Sequence, residues 1–183
     1  MAIKQYELMQ KAAAYRTRMA SPLKVAHLSE NFSTTTRRKA FLCHSHQDVA
    51  LVEGLLEILE EVGIDLYVDW KDNSMPDVPN EETARKIKDR IAGSHVFLFL
   101  ATANAKKSSW CPWEIGCADI GKKSIYIIPT IDGGGDYGNE YLGLYPKIDV
   151  GLSNGVPTGF ALFRPHSQTG TWLKDFVKGG SVL

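Results

Sequence analysis

The sequence predicts an α/β fold of the flavodoxin-like class: a doubly wound parallel sheet of about five strands with helices on both faces. From residue 39 onward, short apolar segments alternate with segments of helical periodicity. The apolar segments, such as His95 to Ala101, contain almost no polar residue, which is typical of strands covered on both faces. Repeated strand-helix units with such strands build parallel sheets.

The N-terminal segment, residues 1–36, is predicted to be a helical appendage and linker, and residues 37–183 the sheet domain. Ile3 to Met19 is predicted to form a helix, and Ser33 to Thr36 is interpreted as the linker. The residues predicted to share one side of that helix are Tyr6, Met9, Ala13 and Arg16.

The first two strands are predicted at Lys39 to Cys43 and Ile64 to Val68. Between them, Asp48 is a plausible N-cap for an amphipathic helix that closes at Gly63. A long polar loop, Asp69 to Pro79, follows the second strand.

The next units follow the same pattern. Asn80 is the predicted N-cap of a helix that ends at Gly93, and Pro112 suits the first turn of a third helix that ends near Gly121. The remaining predicted elements are strands at His95 to Ala101, Ser124 to Ile131 and Phe160 to Phe163, and a last helix at Thr171 to Lys178.

Composition excludes several classes. The 183 residues include 21 basic and 21 acidic side chains, and this neutrality argues against nucleic-acid binding by bulk charge. Three cysteines without a CxxC spacing suggest free thiols in a reducing compartment. The longest apolar run, Val96 to Ala101, is far too short to span a bilayer, and no secretory signal opens the chain. We therefore expect a cytoplasmic protein that contacts neither nucleic acid nor membrane.

The fold class predicts where a ligand binds. In a sheet of order 2-1-3-4-5, ligands bind beyond the carboxyl ends of strands one and three, where the winding reverses. The polar segment Cys43 to Asp48 follows strand one, and Ala101 to Ser109 follows strand three and leads into Trp110 to Glu114. The two most polar functional stretches of the chain are thus expected to meet in one crevice.

Glu114 has two interpretations from local sequence. If Pro112 takes the first helical position, Glu114 is third, where the helix dipole favours an ionised carboxylate. The alternative is a capping glutamate that bonds the free N–H groups of the first turn. Its location at the predicted crevice favours a functional role.

The sequence gives weaker support for three other kinds of site. A metal site at Cys43, His44 and His46 lacks a fourth spaced ligand. A nucleophile pair of Cys43 with His44 requires a proximity that adjacent residues at a strand end rarely have. Gly133 to Gly138 matches GxGxxG in form, but no clear helix follows it, so we interpret it as a turn rather than a dinucleotide fingerprint.

Three of these segments resemble TIR (Toll/interleukin-receptor) domains. Phe41 to Asp48 is similar to that family's first-strand motif, and Tyr67 to Trp70 to its second strand entering the mobile BB loop. Trp110 to Glu114 matches the WxxxE pattern, placed after strand three. The resemblance covers roughly residues 38–131, departs where Cys43 replaces a frequent serine, and is strongest to short bacterial proteins of antiphage systems such as Thoeris.

The resemblance implies the TIR fold and cleavage of NAD+, as substrate rather than cofactor, with Glu114 as the catalytic carboxylate. The products would be nicotinamide and an ADP-ribose-derived, linear or cyclic signal for a product-sensing effector protein. Trp110 would shape the pocket wall, and Trp70 would either stack on a base or pack the loop. The residues implied to bind substrate are Cys43, His44, Ser45, Asp48, Asp69, Trp70 and Trp110.

The resemblance also implies assembly, because related TIR enzymes complete their site with a neighbour's BB loop. We therefore expect a homo-oligomer formed through TIR–TIR contacts. The alternative is a TIR interaction module without catalytic activity. Glu114 favours the enzyme, since a scaffold has no need of a carboxylate at that position.

Overall fold

The computed structural model describes residues 2–20, 38–69, 72, 78 and 80–178. In chain order the strands are β1 (Ile3–Lys4), β2 (Arg38–Cys43), β3 (Ile64–Tyr67), β4 (Val96–Ala101), β5 (Ser124–Asp132), β6 (Gly135–Tyr137), β7 (Lys147–Ser153), β8 (Val156–Phe163) and β9 (Gly170–Trp172). The helices are α1 (Gln5–Met19), α2 (Val49–Glu61), α3 (Glu81–Gly93), α4 (Ala103–Lys107), α5 (Trp110–Ile120) and α6 (Leu173–Lys178).

The strands form one sheet in the order β3-β2-β4-β5-β7-β8-β9, and β1 and β6 both pair with β5. From β3 to β7 the neighbouring strands are parallel, whereas β8 and β9 continue the sheet antiparallel. The winding reverses between β2 and β4, as predicted, because β3 lies on one side of β2 and β4 on the other. The doubly wound prediction is confirmed.

Helices cover both faces of the sheet. Alternate residues of β2 point to opposite sides, so that Leu42 joins the core under α1, α2 and α6, and Phe41 joins the core under α3 and α5. Asn80 caps α3 as predicted, in a reciprocal capping box with Thr83. Cys43 faces the α3 and α5 side, and this side carries the candidate site.

The N-terminal helix forms, and the side that carries Tyr6, Met9, Ala13 and Arg16 is its exposed face. The helix buries a different stripe, formed by Leu8, Ala12 and Tyr15. The helix has apolar residues on both sides, so periodicity alone did not select the buried side.

Residues 2–20 pack against the sheet domain instead of extending from it as an appendage. The backbone of α1 meets α2 so closely that a Cβ at Gly54 would lie 1.9 Å from the carbonyl oxygen of Leu8. Gln5 donates to the buried Thr130 of β5 at 2.9 Å, and Arg18 bridges Glu57 of α2 at 2.6 Å. These contacts place α1 in the same core as the sheet.

The C-terminal third departs from prediction at the fifth strand. The strand beside β5 is β7, and Phe160 to Phe163 lies instead in β8, its antiparallel neighbour. The final helix begins at Leu173, because Gly170–Trp172 pairs with β8 as β9. Throughout the described ranges, no helix has the length and apolarity needed to cross a membrane.

Candidate active site

The candidate site lies at the carboxyl ends of β2, β3 and β4, beside the first turns of α5; we call this region the carboxyl edge. The two loops predicted to converge do meet there. Asp48, after β2, accepts hydrogen bonds from the Thr102 hydroxyl at 2.5 Å and the Asn104 amide at 2.7 Å, both after β4. The carboxyl ends of neighbouring parallel strands share one edge, so these loops are brought together by topology.

The helix that carries Glu114 has Pro112 in its first turn, as predicted, but as the third helical residue rather than the first. It begins at Trp110, where the Ser108 hydroxyl accepts from the N–H groups of Trp110 and Cys111 at 3.2 and 3.3 Å. Glu114 is thus the fifth helical residue, past the first turn. Neither the dipole argument nor the capping alternative holds at that position, because both act within the first turn.

Glu114 lies on the buried face of α5 and is only 6% exposed. Burial raises the pKa of its carboxyl well above the usual range, and nearby Cys111 and Asp69 raise it further. A hydrogen bond with the Cys43 thiol acts in the opposite direction and lowers this pKa. The helix dipole therefore does not help to keep this carboxylate ionised, and burial raises its pKa.

Two thiols lie beside this carboxyl. The Cys43 thiol donates to the Cys111 carbonyl at 3.8 Å, and the Cys111 thiol donates to the His44 carbonyl at 3.5 Å. Burial raises the pKa of Cys43 well above its usual value, so its S–H remains a donor at neutral pH. The contacts join the end of β2 to the first turn of α5.

The carboxylate of Asp69, two residues after the end of β3, lies close to the imidazoles of both His44 and His46. Its carboxylate oxygens are 2.9 Å from Nε2 of His46 and 3.5 Å from Nε2 of His44. The hydrogen bond to Asp69 raises the pKa of His46, whereas burial lowers the pKa of His44. Within the part of the chain that the structure describes, no group of three His, Cys, Asp or Glu side chains is arranged to hold a metal ion.

Asp48 occupies the N-cap position of α2, as the sequence predicts. Its side chain nevertheless makes no capping hydrogen bond to the helix, because its carboxylate oxygens accept from Thr102 and Asn104. Ser45 caps the short 3₁₀ turn His46–Asp48 instead, accepting from the N–H of Gln47 at 3.3 Å. Both side chains hold loops in place, and their role in substrate binding stays a prediction.

Of the two tryptophans predicted to line the pocket, the structure describes one. Trp110 is half-buried at the start of α5 and packs edge-to-face on Trp113, with ring centroids 5.4 Å apart. Its role as a pocket wall stays a prediction. Trp70 lies outside the described residues, so its stacking role stays a prediction.

The structure adds two residues that the predicted binding set does not include. These are His46 and Cys111, which lie in the two segments predicted to converge. Each contacts the site through a partner distant in sequence, Asp69 for His46 and His44 for Cys111. No local pattern reports such contacts; the available signal was the density of His and Cys around the two converging loops.

Comparison with known proteins agrees with this geometry. Residues 40–152 match the family model described as TIR domain, which covers more than half of the chain. The chain belongs to the TIR domain family. The matched range includes the whole carboxyl edge, from Cys43 to Glu114, and extends beyond the predicted region of resemblance into β7.

Two curated relatives of this TIR protein carry names that describe an activity. It is 30% identical over 151 residues to "Probable 3' cyclic ADP-D-ribose synthase ThsB'" of Bacillus cereus (strain MSX-D12), covering 80% of this chain and 78% of that protein. It is 24% identical over 107 residues to "Putative cyclic ADP-D-ribose synthase TIR2" of Cytobacillus dafuensis, covering 57% of this chain and 28% of that protein. A solved CMP N-glycosidase, BcmB of Clostridium botulinum, aligns over 49% of this chain and 67% of its own, with 23% identity and a TM-score of 0.39.

Proposed function

We propose that this TIR protein cleaves the bond between nicotinamide and ribose in NAD+ and closes the remaining ADP-ribose into a cyclic product. The observation that carries the proposal is Glu114, a buried carboxyl at the end of the parallel sheet where ligands of this fold class bind. The names of both curated relatives describe cyclic ADP-D-ribose synthases, which supports a cyclic rather than a linear product.

The chemistry suits a single carboxylate. Breaking a glycosidic bond passes through a state that resembles an oxocarbenium ion, and glycosidases use a second carboxylic acid to protonate their leaving group. Nicotinamide leaves NAD+ as a neutral base from a cationic ring, taking the electron pair of the broken bond, and needs no such proton. The role that remains for Glu114 is to stabilise positive charge on the ribose.

The raised pKa of Glu114 fits this role. The buried carboxyl favours its protonated form while the site lacks a positive charge. When the cationic nicotinamide riboside enters beside it, the opposite charge lowers the pKa and the proton leaves. The carboxylate then lies in a water-poor environment, where its attraction for the developing ribosyl cation is much stronger than in water.

The decisive experiment measures nicotinamide release from NAD+ by the full chain and by Glu114→Gln, with the ribosyl product identified by mass spectrometry. We expect Glu114→Gln to lose about a hundredfold to a thousandfold in rate, as when one preorganised electrostatic group is removed. Glu81→Gln, which alters an exposed glutamate in the first turn of α3, is the matched control and should retain full activity.

Equal release by the wild-type protein and Glu114→Gln would disprove the catalytic assignment. No release by the wild-type protein, even at concentrations that favour assembly, would instead support the TIR interaction module without catalysis. Detection of linear ADP-ribose alone would keep the cleavage step and reject ring closure.

The wider role follows the family resemblance. We propose that the protein acts in the cytoplasm as a homo-oligomer through its BB loop, and that its product signals to an effector protein in antiphage defence. An assembled site makes specific activity depend on concentration. Nicotinamide release per molecule should therefore rise with protein concentration, and a constant specific activity from a monomer would contradict the assembly proposal.

A further inference from the structure

His46 and Asp69 form an Asp–His pair at the carboxyl edge. Nε2 of His46 lies 2.9 Å from the Asp69 carboxylate, and the ring stacks on His44 with centroids 5.9 Å apart. The side chain of His46 is 74% exposed, whereas that of Asp69 is 17% exposed. A fixed carboxylate thus orients an imidazole that solvent and ligands can reach.

The orientation of the ring decides what it can do. Because Nε2–H donates to Asp69, a neutral His46 has its lone pair on Nδ1. Among the residues that the structure describes, the hydrogen-bond partner of His46 is Asp69, at Nε2, and none is found at Nδ1. A carboxylate that holds one ring nitrogen, while the other is open to a substrate, is the arrangement of a general base.

His44 differs from His46 in the hydrogen bonding of its Nδ1 and in its exposure to solvent. Its Nδ1 bonds the Leu42 carbonyl at 3.0 Å, and its side chain is only 2% exposed. Burial also lowers the pKa of His44, which makes it a weaker base. Of these two stacked imidazoles, His46 alone is placed to take a proton from a ligand.

The pair belongs to the same site as Glu114. Asp69 acts electrostatically on Glu114, and Cys111, three residues before Glu114 on α5, acts on both Glu114 and His46. The Cys111 thiol also contacts the backbone carbonyl of His44, two residues from His46. The ionisable groups that face His46 are thus Asp69 from the end of β3, His44 from the end of β2, and Cys111 from α5.

We propose that His46, oriented by Asp69, is the general base of the ring-closing step. This inference rests on the proposed function: once nicotinamide has left with the electron pair of its bond, a ribose hydroxyl of the same molecule attacks the ribosyl cation. The new C–O bond forms, the hydroxyl proton passes to Nδ1 of His46, and the imidazolium then releases it to water. The sum is NAD+ to cyclic ADP-ribose, nicotinamide and one proton.

A base matters more for ring closure than for hydrolysis. An attacking water can pass its proton to the next water, whereas a ribose hydroxyl held in the site has no such chain of acceptors. A catalytic base contributes about a hundredfold to ten-thousandfold when its pKa lies near the working pH. Asp69 raises the pKa of His46 from 6.5, which strengthens the base near neutrality.

The test measures cyclic product per nicotinamide released, using the full chain with NAD+. We expect His46→Gln, which retains an amide donor toward Asp69 but has no basic nitrogen, to lower the cyclic fraction at least tenfold in favour of linear ADP-ribose. His166→Asn is the matched control: it removes an exposed histidine beyond β8, at a positive φ that Asn tolerates, and should leave the fraction unchanged.

Two readouts separate a base from a structural role. Added imidazole should restore cyclic product to His46→Ala, because the vacated position is open to solvent. In Asp69→Asn, the pH at which the cyclic fraction rises should move downward, since Asp69 raises the pKa of His46.

The proposal is overturned if His46→Gln retains the wild-type cyclic fraction, or loses cyclic product and nicotinamide in equal proportion. It is also overturned if the wild-type protein releases nicotinamide but forms linear ADP-ribose alone, an outcome that leaves Glu114 and NAD+ cleavage intact. Failure of the proposed function is a different result, since it removes nicotinamide release itself.

Discussion

Two buried acidic side chains, Asp149 in β7 and Glu114 in α5, have opposite surroundings. Asp149 is fully buried, yet the Lys147 ammonium reaches one of its oxygens at 2.6 Å and the Val150 N–H the other at 2.7 Å. Among the described residues, the contact that lowers the pKa of Glu114 is the thiol of Cys43. Strand β7 thus supplies Asp149 with a charged donor and a backbone donor, whereas the contact that lowers the pKa of Glu114 within the described ranges comes from a thiol.

This difference separates structure from function. A buried carboxylate with charged and backbone donors contributes to stability, and removing it leaves those donors without their partner. A buried carboxyl without such donors lowers stability and is retained for another reason, as is common at active sites. Substitutions at the two positions should therefore have opposite effects on stability and on activity.

The largest expected effect on stability is at Asp149. Asp149→Asn should lower the free energy of unfolding by about 1.5–3 kcal/mol, the range for hydrogen bonds to charged groups. Urea denaturation measures the loss, and nicotinamide release per folded molecule should stay at the wild-type level. Unchanged stability would show that Lys147 and Val150 do not hold this carboxylate in solution.

Asp48 extends the comparison, because it lies at the same edge as Glu114 but is bonded like Asp149. Asp48→Ala should cost about 1–2 kcal/mol of unfolding free energy, less than at Asp149, since Thr102 and Asn104 are neutral donors. Denaturation curves of Asp48→Ala and Thr102→Val should show similar losses, and the double variant less than their sum. Full additivity would contradict the shared hydrogen bond.

Glu114→Gln should change stability in the opposite direction, by about +0.5 to +2 kcal/mol near neutral pH. A carboxyl whose folded pKa is raised binds more protons folded than unfolded, so stability falls as pH rises above the unfolded value near 4.5. The gain should therefore be small at pH 4 and grow toward neutrality. Melting temperatures across this range test it, and a gain independent of pH would contradict the raised pKa.

The smallest effect concerns Cys43, whose thiol lowers the pKa of Glu114. Cys43→Ala should move the acid limb of the pH–rate profile upward, because it removes the hydrogen bond that lowers the pKa of Glu114. Cys43→Ser restores a donor and should bring the limb back, while Cys117→Ser, on the same helix as Glu114, serves as control. An acid limb at the wild-type pH in Cys43→Ala would show that the thiol does not tune this carboxyl.

Local pattern was sufficient for the parallel core and for the region of the site. The four strands β2, β3, β4 and β5 are apolar segments bounded by caps and turns, so each is visible within a few residues of chain. Their order follows from general rules of β-α winding, and those rules also bring the segments after β2 and β4 together.

The hydrophobic pattern did not predict which side of α1 is buried. Both sides of α1 carry apolar residues, and the choice falls to Leu8 because α2 presents Gly54 there, where no side chain keeps the backbones apart. The partner that decides which side of α1 is buried lies on another helix, so it is not visible in the segment itself.

The sequence by itself determined the sheet core, its winding and the carboxylate most suited to the chemistry, because strand burial, helix caps and the WxxxE spacing are local properties. Only the tertiary structure decided the raised pKa of Glu114, the donors of Asp48 and the pairing of His46 with Asp69. The physical reason is that desolvation and hydrogen bonding depend on atoms brought close in space from distant parts of the chain.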